Sequence, residues 1–367
     1  MKKKVQVIIF AVIFFGISLT AWVSPDKEYS EAERRLLAKM PQISLESIVD
    51  GSFEEGFEKY TTDQFPLRDQ FRTVKALFEY KVFGKKDNND LYEADGHVAQ
   101  ILWPYNAGSV TNATDKFGSI YENLIAGTAS EDKVYVSVIP DKGYYMAEAS
   151  GRPVIDYEQM FSQVKEEMDY AKYIDITKDL ELRSYYTTDL HWKQENILPV
   201  TEVIGQAMGL ESAGKADRLE QVEAKPDFRG VYYGQSALPL PAEPIYYLTN
   251  DVIEGAVTFN FETNQEGKVY DLDGLNGKDP YDVYLSGPTP LLTIENPAAE
   301  TDRQLVIFRD SFGSSLAPLL IEDYAKITLV DIRYIQSGFL GQFIEFDGQD
   351  VLFIYGTTIL NDSSLLK

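Results

Sequence analysis

Two short stretches carry side chains able to perform covalent acyl chemistry together: Asp189-Leu190-His191 and Asp310-Ser311-Phe312-Gly313. The chain holds only two histidines, His97 and His191, so the search for a general base is narrow. An aspartate two residues before a histidine can orient one imidazole nitrogen while the other faces a nucleophile, which is how a serine hydroxyl is activated. His191 also stands beside Trp192, a setting in which a histidine can equally be a packed structural residue. Cysteine is absent, which removes thiolate nucleophiles, disulfides, cysteine-ligated zinc and a lipidated-cysteine anchor.

Ser311 follows the apolar run Leu305-Val306-Ile307-Phe308-Arg309 and precedes a helix-compatible segment. A strand entering a helix would put its hydroxyl at the carboxyl edge of a sheet, beside amides able to stabilise an oxyanion. A serine at such a turn can also simply cap the next helix. Arg309 could hold a substrate carboxylate, position this loop or pair with Asp310. Trp192, Tyr186, Tyr355 and Phe312 could form a wall for stacking sugars, or could be core. His97, in Asp95-Gly96-His97, follows a turn and starts a strand, a structural placement. The carboxylates are scattered with no metal-ligand spacing, so neither a metal nor another cofactor is expected.

The elements that must bring these stretches together are strands expected at 98–103, 134–139, 173–176, 304–308, 326–330 and 351–355. Helices are expected between them at 114–126, 157–171, 193–208 and 314–324. This alternation predicts a three-layer α/β domain with a mainly parallel sheet. The tyrosine- and proline-rich segment 210–296 reads as a β-rich insertion. Upstream, helices are expected from Ser52 to Pro66 and over 67–83, the latter with Phe71, Val74, Leu77, Phe78 and Val82 on one face. A polar stalk with a short helix over 31–40 precedes them. The organisation expected is therefore 1–23, 24–90 and 91–367.

Three lysines, Lys2 to Lys4, precede a charge-free apolar run over 5–23, and an acidic segment follows. The length suits a spanning helix and the charge asymmetry an inside N-terminus. Bulky Leu19-Thr20-Ala21-Trp22 lacks a small-x-small cleavage site, favouring an uncleaved anchor over a removed signal peptide. Either way the body is expected outside the cytoplasm, secreted if the segment is cleaved. A net charge of -24 excludes nucleic acid and anionic lipid surfaces as natural partners of the body.

Together the two motifs resemble those of the DHHW and alginate-acetylation group of SGNH-hydrolase-like proteins. Asp63-Gln64-Phe65-Pro66-Leu67-Arg68-Asp69 resembles that group's N-terminal signature, and Pro140-Asp141-Lys142 its strand-ending Pro-x-Lys segment. Segment 281–294 and Tyr355 also fit, so the similarity spans nearly the whole exterior chain. The resemblance implies an SGNH-like fold with permuted strand order, Ser311 as nucleophile, His191 as base and Asp189 as its orienter. It further implies O-acetyl transfer to an extracellular polysaccharide, with a membrane O-acyltransferase partner supplying the acetyl group. Polysaccharide O-acetyl esterase activity and an inactive glycan-binding or assembly role are the rival expectations. Two positions depart from the pattern. Leu190 replaces a histidine, and Ser286-Gly287-Pro288 stands where relatives carry Gly-Gly-Asn. Pro288 offers neither an amide side chain nor a backbone N–H, so the oxyanion donors would be the N–H groups of Ser311 and Gly287.

Overall fold

Consecutive apolar residues bury both faces of a strand, and the richest such runs of this chain form the centre of an eight-stranded sheet. The computed structural model describes residues 2–30, 32–85 and 87–367. In chain order the sheet's strands are β1 (Val134–Ile139), β2 (Lys172–Tyr173), β3 (Val257–Asn260), β4 (Gln265–Gly267), β5 (Leu291–Glu295), β6 (Gln304–Arg309), β7 (Lys326–Val330) and β8 (Asp350–Gly356). Their spatial order is β4-β3-β5-β7-β6-β8-β1-β2. From β7 across to β2 neighbouring strands are parallel, and from β7 out to β4 they are antiparallel.

Side-chain alternation splits each central strand between two cores. Leu305, Ile307, Leu352 and Ile354 enter one core, with helix Leu198–Met208 and the turns around Leu316 and Leu320 above them. Val306, Phe308, Val351 and Phe353 enter the other, against helices Ala107–Ile120 and Tyr157–Glu167. This is the expected three-layer α/β arrangement. The sheet belongs to a unit formed by Asp90–Gly230 and Pro241–Lys367, and a second unit comprises Met1–Asn89 with Val231–Leu240.

Several expectations need correction. The strand foreseen at 98–103 is His97–Gln100, which pairs with Leu91–Ala94 in a hairpin outside the main sheet. Asp95 and Gly96 both have positive φ, the conformation of a tight hairpin turn. The strand at 173–176 shrinks to Lys172–Tyr173, and the helix at 157–171 stops at Glu167. The helix foreseen at 114–126 starts earlier, at Ala107, where Asn106 caps it by accepting from the Ser109 N–H. Within 210–296, Glu220–Phe228 pairs with Glu243–Thr249 as a separate ribbon, whereas β3, β4 and β5 extend the main sheet.

In the N-terminal unit, helices Ser52–Asp63 and Arg68–Lys81 form as expected. The stalk helix does not. Tyr29–Ser30 and Arg35–Leu36 instead form a minimal antiparallel pair, Glu31 lying outside the described residues. The buried Asp63 carboxylate explains the outcome, since it accepts from both the Arg35 guanidinium and the Ala38 N–H and holds this segment extended. The two arginines beside it, Arg35 foremost, lower the Asp63 carboxyl to about 2. Helix Lys2–Val23 is long and apolar enough to cross a membrane.

Candidate active site

The three chemistry-bearing residues meet where strand ends converge. Strand β6 stops at Arg309, and Asp310 and Ser311 turn the chain into a short helix, Phe312–Leu316. The turn is locked by Asp310, whose carboxylate accepts from the Phe312 N–H at 3.0 Å and from the N–H of Gly356, the last residue of β8, at 2.7 Å. Burial pushes the Asp310 carboxyl upward, while Arg333 and these two amides oppose the shift. Because Asp310 does the capping, the Ser311 hydroxyl makes no cap bond and is available for other chemistry.

His191 arrives on a tight loop. Tyr185 and Trp192 form an antiparallel bridge, and the Tyr186 N–H donates to the His191 carbonyl at 3.1 Å, leaving 187–190 as the tip. There the Asp189 carboxylate lies 2.6 Å from His191 Nδ1 and also accepts from the His191 N–H at 3.1 Å. Nε2 lies 2.7 Å from Ser311 Oγ. A carboxylate on Nδ1 fixes the tautomer with its proton there, so Nε2 faces the hydroxyl as an acceptor. Asp189 is fully buried and His191 nearly so, whereas Ser311 is half-buried and reachable.

The tip is clamped from several directions. Lys142, from the turn after β1, donates through Nζ to the carbonyls of Tyr186 at 3.0 Å and Thr187 at 3.3 Å. Burial pushes this lysine down to about 7, against the opposing pull of Asp189, Glu243 and Asp141. Glu243 accepts from both the N–H and the hydroxyl of Thr187 and pairs with Lys193 at 2.7 Å. The Val98 N–H donates to the Thr187 carbonyl at 2.8 Å. The Gly230 N–H donates to Thr188 Oγ1 at 2.9 Å, and its backbone approaches so closely that a β-carbon there would lie 2.3 Å from Asp189 Cβ.

The remaining expected site residues sit differently. Trp192, Tyr186, Tyr355 and Phe312 are all buried, so none offers a face to a sugar. Tyr186 packs against Phe228, Tyr355 stacks on Phe117, and Trp192 meets Phe312 edge-on at 5.2 Å. Their large apolar rings are worth more inside the cores than at the edge. Arg309 is fully buried too; its guanidinium lies 3.7 Å from the Asp331 carboxylate, not on the Asp310 carboxylate and not in a position to meet substrate. Gly287 ends a run of left-handed residues, Leu285, Ser286 and Gly287. Its N–H donates to the Tyr284 carbonyl at 3.3 Å, so the expected donor is engaged within its own turn. The Ser311 N–H has no acceptor among the described residues. No cluster of three or more potential metal ligands occurs among the described residues.

Sequence inspection passed over Gly230, Glu243, Tyr281 and Ser315. The Tyr281 ring stacks on the His191 imidazole at 3.8 Å and 7°. Ser315 Oγ accepts from Trp192 Nε1 at 2.8 Å and lies 2.8 Å from the Tyr281 hydroxyl. Only the proximity of Tyr281 to the departing 285–288 turn gave any signal.

No protein-family model matches the chain, and no curated protein matches it. Its fold is similar to that of solved structures. A DHHW family protein from Eubacterium siraeum aligns at 18% identity over 75% of this chain and 92% of that one, with a TM-score of 0.58. PatB1 of Bacillus cereus aligns at 16% identity over 74% and 96% of the two chains, with a TM-score of 0.58. The same protein with a sulfonyl adduct aligns at 14% identity over 75% and 96%, with a TM-score of 0.59. The DHHW-like fold expected from the sequence motifs is thus the fold observed.

Proposed function

We propose that this protein is an extracytoplasmic O-acetyltransferase that acts on a cell-surface or secreted polysaccharide through an acetyl-serine at Ser311. The observation that carries the reading is the continuous chain of short contacts from Asp189 through His191 to Ser311, 2.6 and 2.7 Å long. The sequence motifs, whose resemblance implies O-acetyl transfer, support the choice of acetyl chemistry, and the fold similarity to a DHHW family protein agrees with that resemblance.

In the first half-reaction His191 Nε2 takes the Ser311 proton as Oγ attacks the acetyl carbonyl carbon. The tetrahedral oxyanion is met by the Ser311 N–H. Collapse breaks the bond to the donor's leaving group, which receives the proton from His191. In the second half-reaction a glycan hydroxyl gives its proton to His191 as its oxygen attacks the acetyl-serine carbonyl; collapse breaks the acetyl carbon–Oγ bond, His191 returns the proton to Ser311 Oγ, and the glycan leaves as an acetyl ester. Asp189 stays ionised and stabilises the imidazolium in both steps. General base catalysis of this kind contributes on the order of 10²–10⁴-fold. Pro288 brings no amide to the oxyanion, and a missing donor costs on the order of 10²–10³-fold, so turnover is slow. The helix Lys2–Val23 serves as the membrane anchor, and a membrane O-acyltransferase hands over the acetyl group.

The test uses the full-length chain in mild detergent with p-nitrophenyl acetate as donor and soluble polysaccharides as acceptors. Acetyl ester on the polysaccharide that depends on Ser311 supports the transferase. Free acetate alone assigns an esterase, and no reaction in either wild type or Ser311→Ala assigns a non-catalytic glycan-binding or assembly protein. The engaged Gly287 N–H is the observation that keeps this last reading in view.

A further inference from the structure

We propose that Ser315 and Tyr281 are positioning residues that set the reach between His191 and Ser311, a role that rests on the acyl-transfer reading of that site. The nucleophile and its base come from stretches 120 residues apart in sequence, so something must fix their separation. Ser315 lies one turn beyond Ser311 and is fully buried. Its hydroxyl has one proton and two lone pairs. The Phe312 carbonyl lies at 3.3 Å to take the proton, leaving the lone pairs for the Trp192 indole N–H and the Tyr281 hydroxyl, each at 2.8 Å. Every bonding capacity of that oxygen is then used.

The partners of Ser315 decide its consequence. Trp192 is the residue after His191, so holding its indole fixes the backbone that carries the imidazole. Tyr281 lies flat on the imidazole at 3.8 Å, leaving the ring no freedom to swing away from Ser311 on that side. Phe312 closes toward the same ring from another direction, with centroids 5.1 Å apart. Gln194 adds a further tie, its side-chain amide donating to the Ser315 carbonyl at 2.7 Å. One serine oxygen therefore joins the nucleophile's helix to both the backbone and the ring plane of the base. Neither the Ser315 nor the Tyr281 hydroxyl bonds to Ser311 Oγ or to His191 Nε2, and the Tyr281 ring meets the base only as a stacked face.

The experiment compares wild type, Ser315→Ala, Tyr281→Phe and the double variant, all as full-length protein in mild detergent. Labelling of Ser311 by phenylmethanesulfonyl fluoride is followed by mass spectrometry, and the imidazole Nδ1 proton is observed by NMR with histidine labelling. Two histidines make the His191 signal assignable by a His97→Gln control. Each single variant is expected to slow the maximal labelling rate roughly 10- to 100-fold with half-saturation unchanged within about twofold, as misplacement near 1 Å does. The double variant should lose little more than the worse single one, because both cut one strut. The Nδ1 proton signal should broaden or vanish in all three. Unchanged labelling and an intact Nδ1 signal, with only melting temperature lowered, would overturn the positioning role. Wild type that resists labelling yet loses its Nδ1 signal in the variants would instead overturn the acyl-transfer reading and leave the strut standing.

Discussion

Replacing Gly230 by alanine tests the architecture without touching any reacting group. A β-carbon at this position would lie 2.3 Å from Asp189 Cβ, 2.4 Å from the Thr188 carbonyl oxygen and 2.5 Å from Asp189 Cα. Ordinary carbon contacts are about 3.5–4.0 Å, so more than about 1 Å of movement must be absorbed. All three obstacles are backbone or the first side-chain carbon, and no flexible tip can yield. Thr188 is also tied to Gly230 itself, and Thr187 to Glu243, Lys142 and Val98. The strain therefore falls on Asp189, whose carboxylate must leave His191 Nδ1. Misplacement of that order costs roughly a hundredfold in rate, and overpacking costs roughly 1–3 kcal/mol of stability. Esterase turnover of p-nitrophenyl acetate and thermal unfolding followed by circular dichroism read the two effects. Gly230→Ala with wild-type turnover within twofold and an unchanged melting temperature would refute the reasoning.

Other outcomes follow from the same geometry. Asp189→Asn, which lets Nδ1 accept rather than donate, is expected to lower turnover on the order of 10⁴-fold with little change in melting temperature, as measured by steady-state kinetics and calorimetry. Asp331→Asn strands the buried Arg309 and should cost roughly 3–5 kcal/mol in urea unfolding. Arg309→Met should cost less, because Asp331 keeps its 2.6 Å partner Arg333. For Lys142 the folded-state value of about 7 lies below the unfolded 10.5, so between these the unfolded chain binds more protons and stability rises with pH. Wild type should thus gain stability over Lys142→Met between pH 7 and 9 in urea titrations, and parallel curves would contradict a burial that drives the proton off the amine.

The proposed nucleophile, base and orienting carboxylate could be singled out in the sequence because their signal is local. Asp189 and His191 share one loop, and Ser311 follows a run of strand residues whose end predicts a sheet edge. The continuous apolar runs of β6 and β8 likewise announced two buried faces. The burial of that run, carried one residue further, would have placed Arg309 inside rather than at the substrate. The aromatic wall was misread because composition near a motif does not say which way a ring turns; Trp192 satisfies its indole N–H on Ser315 inside, and Tyr355 is buried against Phe117 although its hydroxyl has no partner among the described residues. Gly230 and Ser315 matter only through contacts with distant chain, and nothing in their own neighbourhoods marks them. The segment 31–40 fails as a helix for the same reason, since Asp63, far along the chain, offers its backbone and Arg35 a better partner.

The central claim is that Ser311 is made nucleophilic by His191. Stoichiometric reaction of the full-length chain with phenylmethanesulfonyl fluoride, with the modified peptide sequenced by mass spectrometry, tests it most directly. The account predicts one sulfonyl group per chain on Ser311, with Ser314 and Ser315 unmodified and labelling slowed at least a hundredfold, on the order of a lost general base, in His191→Ala. Modification elsewhere, or at Ser311 with equal speed in His191→Ala, would contradict it.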